Sequence, residues 1–355
     1  MNRREFLLRS TIYGTALLIG NAACTSVQPT VADKEADLIA GMRIIDPHQH
    51  PDKNPTASKD PHSASYQFMK AIGAAAVCYS AIGDIHNMRY YAGLSTYDST
   101  LRQLRWWLDG VIGEEKVKLV LKAADIPGPE TARPGAILGI EGGDALNGKV
   151  ERVDEFYKIG VRIITVVHYH NNEIGDIMKA RPNSDPGPYR GGLSREGRAI
   201  IHRMQEIGMV VDVAHAERVT LQQIAEISRR PLIDSHTGLC RQAGNCGRSR
   251  TFEEMEIVAK TGGVVCTWPL GWRRSPQKTF HDWAAELMAM RKRIGMEHIG
   301  LGTDGGGGLN SMVEGYRDAR DIERLAKAML AAGFSREDIA AFMGGNIYRV
   351  LASSI

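Results

Sequence analysis

Aromatic residues are scarce in this 355-residue chain, at 6%, and cysteine occurs five times, so a small disulfide-built scaffold is excluded. No uninterrupted apolar run reaches the roughly 18 residues that a membrane-spanning helix needs. An excess of one charge is missing too. Lys and Arg number 44 against 41 Asp and Glu, leaving +3, and no basic block lies beyond the first ten residues, which argues against nucleic acid as the main partner. Internal repeats and low-complexity tracts are absent. What remains is an ordinary globular mixture, 43% hydrophobic and 24% charged, long enough for two average domains or for one α/β barrel.

Residues 1–30 read as a targeting segment. Arg3, Arg4 and Arg9 form a basic start, and Thr11 to Ala23 a short uncharged stretch, too short to span a bilayer. Arg3-Arg4-Glu5-Phe6-Leu7-Leu8 resembles the twin-arginine export signal, which implies delivery of a folded chain to the periplasm. Cys24 follows Ala22-Ala23 as a lipoprotein acceptor would, whereas Asn21 departs from that pattern; a lipid anchor and a cut without lipidation stay as alternatives. Cys240 and Cys246 are spaced for a small loop disulfide, but the composition favours reading all four later cysteines as small buried hydrophobes.

From residue 31 to 355 a single domain is expected. Eight short apolar or β-branched runs alternate with helical patterns: Arg43 to Asp46, Ala74 to Ser80, Ala136 to Ile140, Arg162 to Val167, Met209 to Val213, Pro231 to Asp234, Gly263 to Thr267 and Ile299 to Gly302. Thr220 with Gln223, Thr251 with Glu254 and Ser335 with Asp338 stand at or near capping-box spacing and mark helix starts. Pro51 to Gln67 and Tyr169 to Gly192 are long insertions, which in a compact domain usually serve function. Eight strands with helical connections predict an α/β (β/α)8 TIM barrel, whose active sites lie at the C-terminal strand ends.

That rule selects residues. His48 and His50 follow the first run, Glu141 the third, His168 the fourth, His215 the fifth, His236 the sixth and Asp304 the eighth. In His48-Gln49-His50 the period of two puts both imidazoles on one side of a strand. Neutral imidazoles suit zinc, and a carboxylate can bridge two ions, an arrangement that activates water against a carbonyl. Each residue alone is weak evidence; their convergence on strand ends points to metal-assisted hydrolysis. His62, His86, His202, His281 and His298 fall in predicted loops or helices and read as structural, and the Trp106-Trp107 pair as core.

These residues carry a resemblance over nearly the whole chain beyond the targeting segment. Gly139-Ile140-Glu141-Gly142-Gly143, Gly160 to His168 and Asn171, Gly192-Leu193-Ser194 through Asp212-Val213-Ala214-His215, Ser235-His236, Gly300 to Asp304, and Gly333 to Leu351 resemble, in order, segments of the renal or membrane dipeptidases, zinc metallopeptidases of the amidohydrolase type.

The resemblance implies two zinc ions bridged by Glu141, with His215 and His236 on one and His48, joined by His50, on the other. It implies Asp304 as acid/base, His168 as a catalytic and substrate-binding donor to the scissile carbonyl, and an arginine that holds the substrate carboxylate. By spacing that arginine is Arg248, with Arg250 next. The expected substrate is a dipeptide or similar small molecule with a free carboxylate, and a homodimer is plausible for the family. Two departures stand out: His50 replaces the usual aspartate, and Asp144 the histidine that tends to follow Glu-Gly-Gly. They leave two alternatives, an amidohydrolase acting on a lactone, cyclic amide or phosphoester, and a non-catalytic periplasmic protein on the same scaffold.

Overall fold

The computed structural model describes residues 38–50, 70, 72–84, 93–114, 116–129, 131, 133–178, 186–241, 246–271, 276–307 and 311–355. The targeting segment with Cys24, the insertion 51–67, His62 and His86 lie outside them.

Each apolar run becomes a parallel strand. β1 (Ile44–Gln49), β2 (Ala74–Ile82), β4 (Gly135–Glu141), β5 (Val161–Thr165), β6 (Val210–Asp212), β7 (Ile233–Thr237), β8 (Val264–Thr267) and β9 (Ile299–Leu301) pair in that order, and an unanticipated two-residue strand, β3 (Lys118–Leu119), adds to the start of β4. The ring closes beyond β9, where His50 N donates to Gly305 O at 2.7 Å and Asp304 N to His48 O at 3.2 Å. Asp46 bolts this seam, accepting from the backbone and hydroxyl of Thr303 and from Gln49 Nε2. The result is a (β/α)8 barrel.

The helices are α1 (Thr96–Trp107), α2 (Glu151–Ile159), α3 (Arg195–Ile207), α4 (Arg218–Ile227), α5 (Phe252–Lys260), α6 (Phe280–Ile294), α7 (Ile322–Ala331), α8 (Arg336–Ala340) and α9 (Asn346–Ser354). Thr251 and Ser335 cap α5 and α8 in capping boxes, as their spacing predicts. Thr220 does not: α4 begins two residues earlier on a Glu217 cap, and Thr220 Oγ1 instead accepts from Asp176 N at 3.0 Å. Trp107 is core, edge-on to Tyr79.

Strand alternation sorts the core into two layers. One alternate set, with Val77, Leu138, Phe156, Ile164 and Leu287, packs between sheet and helices. The other faces the barrel axis, where Ile45, Ala76, Cys78, Ile137, Ile163, Val210, Ile233, Val264 and Cys266 meet Ile347 of α9. This interior is filled tightly: a Cβ on Gly139 would stand 2.5 Å from Cys78 Sγ. Cys78 and Cys266 are buried thiols, as expected, but Cys240 and Cys246 are not; they form a disulfide, which corrects the reading of all four as free hydrophobes.

Candidate functional site

The inward positions turn polar toward the C-terminal end of the barrel. On β4 the inward series runs Ile137, Gly139, Glu141; on β2, β5, β6 and β7 the same alternation ends in Ser80, Thr165, Asp212 and Ser235. Four strands, β1, β2, β4 and β7, run further than the expected apolar runs. His48 lies within β1 and His236 within β7, because the backbone ladder continues after the side chains have become polar.

Glu141 is the hub. Its carboxylate is 2% exposed as a residue, and five imidazole Nε2 atoms approach it: His215 at 3.0 Å, His48 and His236 at 3.4 Å, His50 at 3.1 Å and His168 at 3.3 Å. Asp304 completes the ring, with Oδ1 3.6 Å from His50 Nε2 and 4.0 Å from His48 Nε2. All seven predicted residues at the strand ends are therefore in one place.

Backbone geometry marks the same spot. Among the described residues the non-glycine positions with positive φ are Asn147, which ends a short helix, and His215 and Asp304, at 66° and 49°. Such conformations cost on the order of 1–3 kcal/mol for side chains like these and persist where the surroundings enforce them.

The outer nitrogens decide what the inner ones offer. His50 Nδ1 lies 2.8 Å from the Ser80 carbonyl, which only accepts, so that nitrogen carries the proton. Ser235 Oγ donates to Asp212 and accepts from His236 Nδ1 at 2.9 Å. His168 Nδ1 is 3.1 Å from Asp84 Oδ1. In the neutral form His50 and His236, so oriented, turn Nε2 lone pairs inward, and the Nε2 atoms of His48 and His50 are 3.2 Å apart and those of His215 and His236 2.8 Å apart. Lone pairs at that distance repel unless a proton or a metal ion lies between them, and the donor set of imidazoles and carboxylates is one that zinc-type ions accept.

Two triads have ligand atoms mutually within 4.8 Å and share the glutamate, His48/His50/Glu141 and Glu141/His215/His236; a third is His48/His236/Asp304. Burial opposes charge on Glu141, but His168, His48 and hydrogen bonds from His215 and His236 hold its carboxyl well below the usual range. Burial, with Arg248 beside it, pushes His215 well down. Burial likewise lowers His236, yet the Glu141 hydrogen bond and the charges of Asp304 and Glu141 outweigh it and raise that ring to about 9.

The two candidate arginines separate cleanly. Arg250 is 1% exposed and committed to structure, with Nε on Asp234 and its two terminal nitrogens on the Ala216 and Val213 carbonyls, each at 2.6 Å. Arg248 faces the cluster. Its Nη1 is 3.2 Å from His215 Nε2, its guanidinium lies 4.7 Å from the centre of the Tyr169 ring, and its Nη2 is buried without a hydrogen-bond partner among the described residues. Asp84, Tyr169, Asp212 and Ser235 were not singled out from sequence. Asp84 follows the end of β2 by two residues, so the strand-end rule finds it once β2 is extended to Ile82.

The sequence profile of the membrane dipeptidases, peptidase family M19, matches residues 30–354. The dipeptidase verJ of Clonostachys rogersoniana is 30% identical over 224 residues, 63% of this chain and 56% of that one. The dipeptidase tcpJ of Claviceps purpurea is 27% identical over 241 residues, 67% and 55%. The chain thus spans little more than half the length of the curated relatives it matches. A metallo peptidase from Rhodobacter sphaeroides, liganded with a phosphinate mimic of the dipeptide L-Ala-D-Ala, superposes with a TM-score of 0.74 at 17% identity, covering 89% of this chain and 100% of that one. The probable dipeptidase PvdM from Pseudomonas aeruginosa gives 0.76 at 18%, covering 90% and 97%. At those identities the likeness is one of fold. The profile runs from ahead of the first strand into the last helix, and the chain belongs to the membrane dipeptidase family.

Proposed function

We propose that the protein is a metal-dependent dipeptidase, hydrolysing the amide bond of a small substrate that ends in a free carboxylate. The observation that carries this is the pairing of a ligand cluster around Glu141 with Arg248, whose Nη2 has no hydrogen-bond partner among the described residues. His48, His50 and Glu141 would hold one ion and Glu141, His215 and His236 the other, with zinc the metal that best suits the donors. Such ions supply Lewis acidity toward a carbonyl and a lowered pKa for water.

The side chains divide the remaining work. Asp304, at the rim of the cluster, takes the proton released by the attacking water and returns it to the leaving amine. His168 Nε2 points inward and, when that nitrogen also carries a proton, donates to the carbonyl oxygen as negative charge grows on it. Arg248 offers Nη2 to the substrate carboxylate, and Tyr169 beneath it keeps the guanidinium in the site. The phosphinate bound in the Rhodobacter sphaeroides structure makes L,D-dipeptides the first class to try. The Cys240–Cys246 disulfide fits an oxidising compartment and so supports export, for which the twin-arginine-like start of the sequence suggests the route.

The test is metal content per chain together with turnover of an L,D-dipeptide panel. About two zinc ions with hydrolysis is the expected result. Hydrolysis with a single ion moves the chemistry to a mononuclear centre, and no turnover of any dipeptide by zinc-loaded protein removes the dipeptidase reading in favour of another amidohydrolase reaction or a binding role.

A further inference from the structure

Beyond the ligand cluster, one buried acid, Asp84, contacts both the His168 ring and the chain that follows it. Its side chain is fully buried, Oδ1 lies 3.1 Å from His168 Nδ1, and Oδ2 accepts from the Tyr169 backbone N–H at 2.8 Å with His170 Nδ1 at 3.7 Å. Gly83 just before it permits the approach: its N–H bonds to Glu141 O at 2.7 Å, and any Cβ there would collide with the Gly142 carbonyl.

Two carboxylates lie close together here with opposite environments. Burial alone would raise Asp84, but the imidazole of His168, the hydrogen bonds from His168 and Tyr169 N, and the nearby His170 ring hold it well below the usual carboxylate range. Asp144 lacks an imidazole contact of that kind; burial and the charge on Asp84 push it up to about 6, and its Oδ2 accepts from Asn172 at 2.9 Å. The local structure thus keeps Asp84 charged at the expense of its neighbour.

What Asp84 touches links two halves of the site. One oxygen meets the ring that faces Glu141. The other holds the backbone of Tyr169, whose ring lies 3.9 Å from that of His168, centre to centre, and 4.7 Å from the Arg248 guanidinium. We propose that Asp84 is a positioning residue: it fixes the His168 ring with Nε2 toward the centre and, through Tyr169, sets where Arg248 stands relative to His168. The catalytic consequence rests on the dipeptidase reading; the ring orientation does not.

The isosteric change Asp84→Asn separates the two functions. An amide oxygen can still accept from Tyr169 N, while an amide NH2 facing Nδ1–H sets donor against donor, so the bond that fixes the His168 ring is lost. Asp84→Asn is expected to lower kcat by about 10²-fold with KM for the dipeptide held within about threefold, whereas Asp84→Ala raises KM as well. In a His168→Ala background, Asp84→Asn is expected to change kcat less than about twofold, because the partner it acts through is gone. Losses of equal size in both backgrounds would make Asp84 a merely structural residue and overturn the proposal.

A substrate-free readout stands beside the kinetics. In zinc-loaded wild-type protein labelled with 15N-histidine, the His168 resonances, assigned with His168→Gln, are expected to show a protonated Nδ1, and Asp84→Asn to break the hydrogen bond that proton makes. A wild-type Nδ1 without a proton overturns the proposal with no Asp84 variant required. Protein that turns over no dipeptide yet shows the protonated Nδ1 retains the Asp84 assignment and loses only the proposed reaction.

Discussion

The floor and the mouth of the barrel are built on the same strands, two to four residues apart. On β4, Ile137 faces the floor and Glu141 the mouth; on β7, Ile233 and Ser235 divide in the same way. The floor is apolar and filled by α9, so its contribution is burial, felt as stability. The mouth is equally buried but polar, with His48, His50, Glu141, His168, His215 and His236 each under 5% exposed. Burying so many ligands in one spot opposes folding unless a cation joins them, and the positive φ angles of His215 and Asp304 add to that cost. One strand can therefore serve stability at one level and chemistry at the next.

The hub tests this division most severely. Glu141→Gln removes the one carboxylate shared by two ligand triads. Loss of bound metal, measured by elemental analysis, is expected together with a fall in kcat/KM of at least ~10³-fold. A variant that binds and turns over normally would break the division of floor from mouth. The reverse test is Ile137→Ala, which is expected to cost about 2–5 kcal/mol in urea unfolding while kcat of the folded protein stays at its wild-type value.

Arg250 and Arg248 sharpen the contrast within two residues of chain. Arg250→Ala strands the buried Asp234 carboxylate and two carbonyls, and is expected to cost about 3–5 kcal/mol of stability. Arg248→Ala leaves those bonds alone. It is expected to raise KM by about 10²-fold for substrates with a free carboxylate and far less for their amides, a comparison of two rate curves on one preparation. An equal rise for acid and amide would place the carboxylate on another residue.

Much of this was legible in the sequence because barrels sort residues by period and by strand end. The eight runs, Glu141 and the five histidines followed from alternation and position alone. The misses have physical causes. Ser80 interrupts an apolar run that Ala81 and Ile82 continue, so a reading that stops at the polar residue ends β2 two residues early and leaves Asp84 beyond notice. Arg248 and Arg250 have the same side-chain chemistry, and only the three bonds of Arg250 tell them apart. Thr220 has capping chemistry, but a tertiary partner, Asp176 N, takes its hydroxyl. A six-residue spacing permits the Cys240–Cys246 bond without requiring it.

The smallest effect concerns how the loop that carries Arg248 is held down. Glu286 of α6 is 2% exposed and accepts from Leu239 N at 2.9 Å, next to the Cys240–Cys246 disulfide. Burial, only partly offset by Arg241, pushes its carboxyl from 4.5 up to about 7. Between those values the unfolded chain releases the proton while the folded one keeps it, so this group's contribution to stability falls as pH rises through the window and levels off above it. Glu286→Gln retains an acceptor for Leu239 N and has no proton to lose. It is therefore expected to be more stable than wild type at pH 8 by about 1–3 kcal/mol, with the advantage gone near pH 4.5. Thermal melts across that range decide the matter. Curves that stay parallel from pH 4.5 to 8 would show that the loop's anchor is not a buried acid under strain, and that the polar anchoring of the mouth carries no electrostatic penalty here.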